Sequence, residues 1–298
     1  MNAADEPRAP SVQLKNILFA ADLSPGSRQA FPFAASIARH YAGRLLLEYV
    51  APPADTAKRS GKLPTPALSK SDMEAALASA RESLSDIPCE TLFDSGNICS
   101  RLLATARERA MDLIVVGTHG LRGMKKLLKG STAEEIVFLA SCPVLTAGPM
   151  VDRKADFRHI LCATDFSRAA EHAIPYAISL AEIYHASLLF LHVNDWNSNE
   201  KPVDAQPRTF RFVQEQISRS GHAAAIEGRF HVKVDFGPRT DLILEAATDS
   251  EADLIVMGLQ TGMGIRARIA AHLPGSMTYD VIAQAPCPVL TVPLPRAA

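Results

Sequence analysis

The sequence predicts an α/β protein of two tandem domains with the same design, each a parallel β-sheet flanked by helices. Three observations carry this. Apolar runs of strand length alternate with longer segments of helical period, the pattern of parallel βαβ units with right-handed crossovers. Some of those runs, LIVV at 113–116 among them, are apolar at every position, as expected of strands buried on both faces. The whole pattern then occurs twice. Ile17 and Ile160, Asp22 and Asp165, and Val50 and Val193 are each 143 residues apart. Gly96 and Gly237, Asp112 and Asp253, and Gly117 and Gly258 are 141 apart; Gly130 and Gly275, Ser131 and Ser276, and Cys142 and Cys287 are 145 apart. So steady an offset is an internal duplication. The boundary falls within 149–156, giving domains 1–150 and 151–298.

In the first repeat, 16–21 reads as a strand and 24–41 as a helix with Ser24 as its cap. A second strand at 45–50 is followed by a loop rich in Pro and Ala. Ser71 and Glu74 make a capping box for a helix to about residue 85, and 89–93 is a third, more polar strand. A helix at 97–110 leads to the strand at 113–116; a helix ending at 139 and a last strand at 144–147 complete the repeat. The second repeat reads the same way. The first sixteen residues mix acidic, basic and polar side chains without an apolar core, so they read as a frayed tail and not as a signal peptide.

At 298 residues the chain is long enough for two cores of ordinary size. Its 47% hydrophobic and 21% charged content is that of a globular protein. A net charge of −1 argues against nucleic acid or an anionic membrane surface as partner, and no apolar run approaches membrane-spanning length. Five cysteines, odd in number and without a CxxC pair, suggest reduced thiols and a cytoplasmic location. Cys142 and Cys287 each precede a proline and a strand, and read as small buried hydrophobes.

The candidate site is LIVVGTHGLRGMKKLLKGST at 113–132. The strand ends in Gly117, Thr118, His119 and Gly120; nine residues on, Gly130, Ser131 and Thr132 open a helix. Glycines let main-chain amides approach an anion, and a helix N-terminus adds unpaired amides with a favourable dipole. Two glycines after a strand are also common turn punctuation. The spacing Gly117-x2-Gly120-x9-Gly130-Ser131, with Asp22 after the first strand and the closing CPVLTA at 142–147, resembles the ATP-binding branch of the universal stress protein family. The resemblance spans nearly the whole chain, twice over. In the second copy Gly258 is followed by Gly262 and then, twelve residues on, by Gly275 and Ser276. The phosphate spacing is broken there, so nucleotide is expected in the first domain.

The resemblance implies Rossmann-like, flavodoxin-like domains of the adenine nucleotide alpha hydrolase-like kind, each a five-stranded parallel sheet of order 3-2-1-4-5. It implies that the halves join antiparallel through the edge strands PVLTA and PVLTV as a pseudo-dimer, and leaves further homo-oligomers open. It also implies ATP in the first domain with Mg²⁺ on its phosphates. Asp22 would face the ribose, and Asp165 its counterpart; Ala20 and Ala21 would border the ligand; the main chain of Val50, matched by Val193, would meet the adenine edge. The function implied is a stress-response or signalling protein acting through nucleotide occupancy, with at most slow hydrolysis.

Each assignment has a plainer alternative. Asp22 is also a turn residue ahead of Ser24 and Pro25. Ser131 makes a capping box with Glu134, which would satisfy the helix amides without a ligand. Arg122, Lys125, Lys126 and Lys129 are either a cation rim for a triphosphate or a solvated helical face, and His119 is either part of the cradle or a solvated loop imidazole. An interaction protein that binds no nucleotide would use the same glycines for turns alone. No GxxxxGK[ST], HExxH, GxSxG or zinc-spaced Cys/His cluster occurs, and GMGIRA at 262–267 follows the wrong strand for a dinucleotide fingerprint. Trp196 is either a loop anchor or the border of a cleft.

Overall fold

A computed structural model describes residues 12–53, 70–118, 132–196, 201–260 and 277–295. Their contacts divide into two compact units, one within Leu14–Val151 and one built mainly on Asp152–Gly262 and Gly275–Ala298. In the first unit β1 (Asn16–Ala20), α1 (Pro25–His40), β2 (Arg44–Ala51), α2 (Lys70–Glu82), β3 (Cys89–Ser95), α3 (Ile98–Glu108), β4 (Leu113–Gly117), α4 (Thr132–Leu139) and β5 (Val144–Ala147) follow in turn. The strands lie in the order β3-β2-β1-β4-β5, and each neighbouring pair is parallel.

The second unit runs β6 (His159–Thr164), α5 (Arg168–Ile183), β7 (Ser187–Asn194), α6 (Pro202–Ser220), α7 (Ala223–Ile226), β8 (Phe230–Phe236), α8 (Arg239–Asp249), β9 (Leu254–Leu259), α9 (Met277–Gln284) and β10 (Val289–Pro293). Its order, β8-β7-β6-β9-β10, is the same 3-2-1-4-5 pattern, again all parallel. Each unit is a Rossmann-like α/β sheet. The register repeats as well: Ala20 faces Glu48 across β1 and β2, and Ala163 faces Leu191 across β6 and β7.

Local chemistry explains the element ends. Ser24 and Ser167 cap α1 and α5, their hydroxyls accepting from the amides of Ser27 and Ala170 at 3.1 and 3.2 Å. Both helices carry a proline inside, Pro32 and Pro175, without ending there. Asn97 is the cap of α3, not its first helical residue, and its side chain accepts from Ser100 N at 2.9 Å. Asp112 accepts from the amides of Lys15 and Asn16, and Asp253 from those of Arg158 and His159, so one carboxylate in each repeat anchors the entry to the first strand. Burial pushes the thiols of Cys142 and Cys287 up to about 12, as fits packing groups more than reactive ones.

Four helices end the same way without glycine. Ala42, Ala110, His185 and Glu251 have φ of 48, 48, 54 and 50°, and the amide after each bonds five residues back, to Ala38, Ala106, Ala181 and Ala247. These are Schellman ends with a side chain in the left-handed region, which costs about 1 kcal/mol each relative to glycine. Ala110→Gly is therefore expected to raise stability by about 0.5–1 kcal/mol, read as a higher urea midpoint at unchanged slope.

Two sequence expectations need correction. Ser71 is not a helix cap, because α2 already begins at Lys70. The entry segment is not frayed throughout: Leu14 is 1% exposed, held there by the Asp112 contacts to the residues that follow it. Residues 1–11 lie outside the described ones.

Candidate functional site

In an open parallel sheet, the carboxyl ends of the strands beside the switch in strand order leave a crevice, and in the first unit that switch lies between β1 and β4. A solvent-open cleft occupies that place. Six of the predicted residues meet there: Ala20, Ala21, Asp22, Val50, Gly117 and Thr132. Ile98 and Leu102 of α3, Val116 of β4 and Ile136 of α4 supply an apolar floor. A crevice lined mainly by apolar side chains with a few polar groups suits a small flat ligand.

Asp22 is exposed at the mouth and performs the turn role expected of it, its Oδ1 accepting from Ser24 N at 2.9 Å. Leu23, between them, has φ of 56°, and the repeat is faithful: Phe166 has φ of 60° and Asp165 accepts from Ser167 N at 3.0 Å. A carboxylate accepts more than one hydrogen bond, so the turn and a sugar hydroxyl are compatible. Thr118 is buried, its amide and hydroxyl both donating to Ala147 O, at 2.9 and 3.3 Å. The structure thus gives Thr118 a strand-anchoring role.

Gly117 has a purpose that the sequence did not show. A Cβ there would lie 2.5 Å from the nitrogen of Ser27 and closer still to the carbonyl of Gly26, so α1 crosses β4 on bare main chain. Gly258 does the same in the second unit, where its Cβ would lie 2.5 Å from Ala170 N and closer still to the Ala169 carbonyl. Both glycines are required by packing, whatever else they do. His119, Gly120, Gly130, Ser131, Gly262, Gly275 and Ser276 lie outside the described residues, as do Arg122, Lys125, Lys126 and Lys129.

Sequence reasoning missed Glu48. It is 1% exposed on β2, lines the cleft two residues before Val50, and accepts from the Thr105 hydroxyl of α3 at 3.0 Å through Oε1. Its Oε2 is buried with no hydrogen-bond partner among the described residues. Burial raises its pKa, only partly opposed by the Thr105 hydrogen bond, with the nearby charge of Asp94 raising it further. The signal was a lone acidic residue inside the strand LLLEYVA, at a position where the second repeat has Leu191.

The second unit fills the matching region differently. Val193 is buried, and the neighbouring His192 ring lies 4.2 Å from that of Phe166, with the Arg208 guanidinium 4.6 Å over the latter. His192 Nδ1 donates to Thr164 O at 2.8 Å. Its Nε2 stands 3.2 Å from the Asn194 amide oxygen while Asn194 Nδ2 is buried with no partner among the described residues, so turning the amide over lets Nδ2 donate to the imidazole. Trp196 is 75% exposed, and its ring lies where a Cβ added at Gly237 would come within 3.3 Å of it.

Among the described residues no helix is long and apolar enough to cross a membrane, and no group of three or more His, Cys, Asp and Glu could hold a metal. The family model for the universal stress protein family matches residues 13–147 and 156–293, one copy to each repeat. Over 145 residues the chain is 32% identical to a universal stress protein of Thermus aquaticus, covering 46% of this chain and 98% of that one. It is 34% identical over 71 residues to universal stress protein YxiE of Bacillus subtilis, spanning 23% of this chain and about half, 48%, of that relative. The crystal structure of a universal stress protein from Archaeoglobus fulgidus superposes with a TM-score of 0.70 at 22% identity, covering 95% of this chain and 97% of that one. At that identity the match speaks for the fold.

Proposed function

The chain belongs to the universal stress protein family in both of its repeats, and from that premise we propose that its first cleft binds ATP and that occupancy, more than turnover, is its signal. The observation that carries this reading is the convergence of Ala20, Ala21, Asp22 and Val50 on one crevice with an apolar floor. The fit is to the nucleoside. The floor takes the base, the Val50 main chain borders its edge, and the Asp22 carboxylate stands at the mouth where a ribose would lie. Gly120, Gly130 and Ser131 would hold the phosphates, with Mg²⁺ on the phosphate oxygens, where it would offset their charge. The chain's own residues bind and orient; no base and nucleophile pair stands beside the described part of the cleft, which favours sensing over catalysis.

Asp22 and Asp165 make the same turn, so the pair separates ligand from scaffold. Asp22→Ala is expected to weaken ATP binding about tenfold by calorimetry, and Asp165→Ala to leave it within about twofold. Equal losses in both would assign Asp22 to the turn alone.

One observation favours a second reading, an interaction protein without nucleotide. Gly258 is demanded by packing in a repeat whose phosphate spacing is broken, so Gly117 needs no phosphate to explain it. Purified protein that releases no adenine nucleotide on denaturation, and gives no binding heat with ATP, would establish that reading.

A further inference from the structure

The cleft holds a polar atom that no described residue satisfies. Glu48 Oε2 is buried with no partner among the described residues, while Oε1 is engaged by Thr105, and the residue is one of those that line the crevice. A buried carboxyl left half satisfied is costly in a folded protein, and its desolvated surroundings favour the neutral acid. The second repeat shows that the fold does not need it. The strand registers place Leu191 at the position of Glu48, and the offset of 141 places Ala246 at that of Thr105. The carboxyl and the hydroxyl that orients it therefore occur together, in one repeat only, and that repeat has the complete glycine spacing.

We propose that Glu48 reads the base of the bound nucleotide, Oε2 making one hydrogen bond to a ring nitrogen of the purine. The inference rests on the reading of the first cleft as an adenine-nucleotide site and adds a specificity residue to it. With Thr105 donating to Oε1, the neutral acid carries its proton on Oε2, where it can be donated to a lone pair of the ring. A pyrimidine, smaller and with its acceptors elsewhere, leaves Oε2 unmet, so Glu48 favours purines over pyrimidines. Glutamine at this position keeps the geometry: its oxygen accepts from Thr105 and its amide donates to the ring. Leucine, the residue of the second repeat, removes the contact and keeps the packing.

The test is calorimetry of the full chain with ATP and with its 1-deaza, 3-deaza and 7-deaza analogues, on wild type, Glu48→Gln and Glu48→Leu. Glu48→Leu is expected to bind ATP about tenfold more weakly and Glu48→Gln within about twofold of wild type. One of the three analogues should bind wild type about tenfold more weakly than ATP and bind Glu48→Leu no worse than ATP does. Equal affinity of wild type and Glu48→Leu for ATP overturns the proposal while leaving the nucleotide site intact. So does a Glu48→Gln protein as weak as Glu48→Leu, or three analogues that all bind wild type like ATP. A wild-type protein that binds neither ATP nor any analogue overturns the nucleotide reading and this inference together. Three analogues that all bind wild type like ATP overturn the proposal even where a variant folds poorly.

Discussion

Gly117→Ala is expected to lower conformational stability by about 3–5 kcal/mol, the loss being present without any nucleotide. The added methyl group would sit 2.5 Å from Ser27 N and closer to the Gly26 carbonyl, and both are main-chain atoms at the start of α1. No rotamer change can relieve that contact. The helix must lift off β4, opening the packing of Phe33 and Ile37, which are buried on α1. Gly258→Ala should cost as much in the second repeat, since it meets Ala169 and Ala170 in the same way. Gly228→Ala is the control. Its φ is +71° with nothing within 4 Å of the new atom, so only backbone strain is paid, about 1 kcal/mol. Urea unfolding of the three variants measures the differences directly. A Gly117→Ala protein as stable as the Gly228→Ala one would remove the packing account and return Gly117 to the ligand. It also follows that a bulky residue at Gly117 cannot serve as a probe of phosphate binding, because it would disturb the fold first.

Gly117 shows where sequence reading stops. The fold was legible because its signals are local and mostly stated twice: apolar runs of strand length, a cap such as Ser24, and a repeat offset that hardly drifts. The purpose of Gly117 was not, since the atoms that demand it belong to Gly26 and Ser27, far along the chain and joined to it only by the crossing of helix and strand. From the sequence it reads equally as a turn or as an anion cradle. Asp22 and Val50 were found through the resemblance, and the crevice brings them together. Main-chain contacts such as that expected of Val50 carry no side-chain signature, so residues alone would not have picked it out. Glu48 was within reach. Laying the second repeat over the first sets a carboxylate against Leu191 in an otherwise apolar strand, and a charge in that setting calls for a partner or a ligand.

Glu48→Leu is expected to stabilise the ligand-free protein by about 1–3 kcal/mol at neutral pH, with a gain that shrinks as the solution is made acidic. Burial raises the folded-state pKa of Glu48 above the ordinary carboxylate value, against the weaker opposing effect of Thr105. The folded chain therefore holds this proton more tightly than the unfolded chain does. The stability linked to it is fully present below the unfolded pKa and is lost as pH rises through the folded one. Neighbouring charges do not reverse the sign. Asp94 of β3 raises the pKa, while Arg101 and Arg109, which act the other way, are engaged with Asp94 and Glu90. Leucine at 48 removes both the titration and the orphaned oxygen, so the two proteins should approach each other in stability near pH 4 and separate towards pH 7. Thermal unfolding across that range measures the gap. A gap independent of pH, or a Glu48→Leu protein less stable at neutral pH, would show that Oε2 is satisfied in solution by some other group. Saturating ATP should close the gap from the other side, because wild type then gains a partner for Oε2 that the variant cannot use. On the proposed reading, a carboxyl that destabilises the ligand-free cleft and finds a partner when ATP binds makes the stability of the first unit report occupancy.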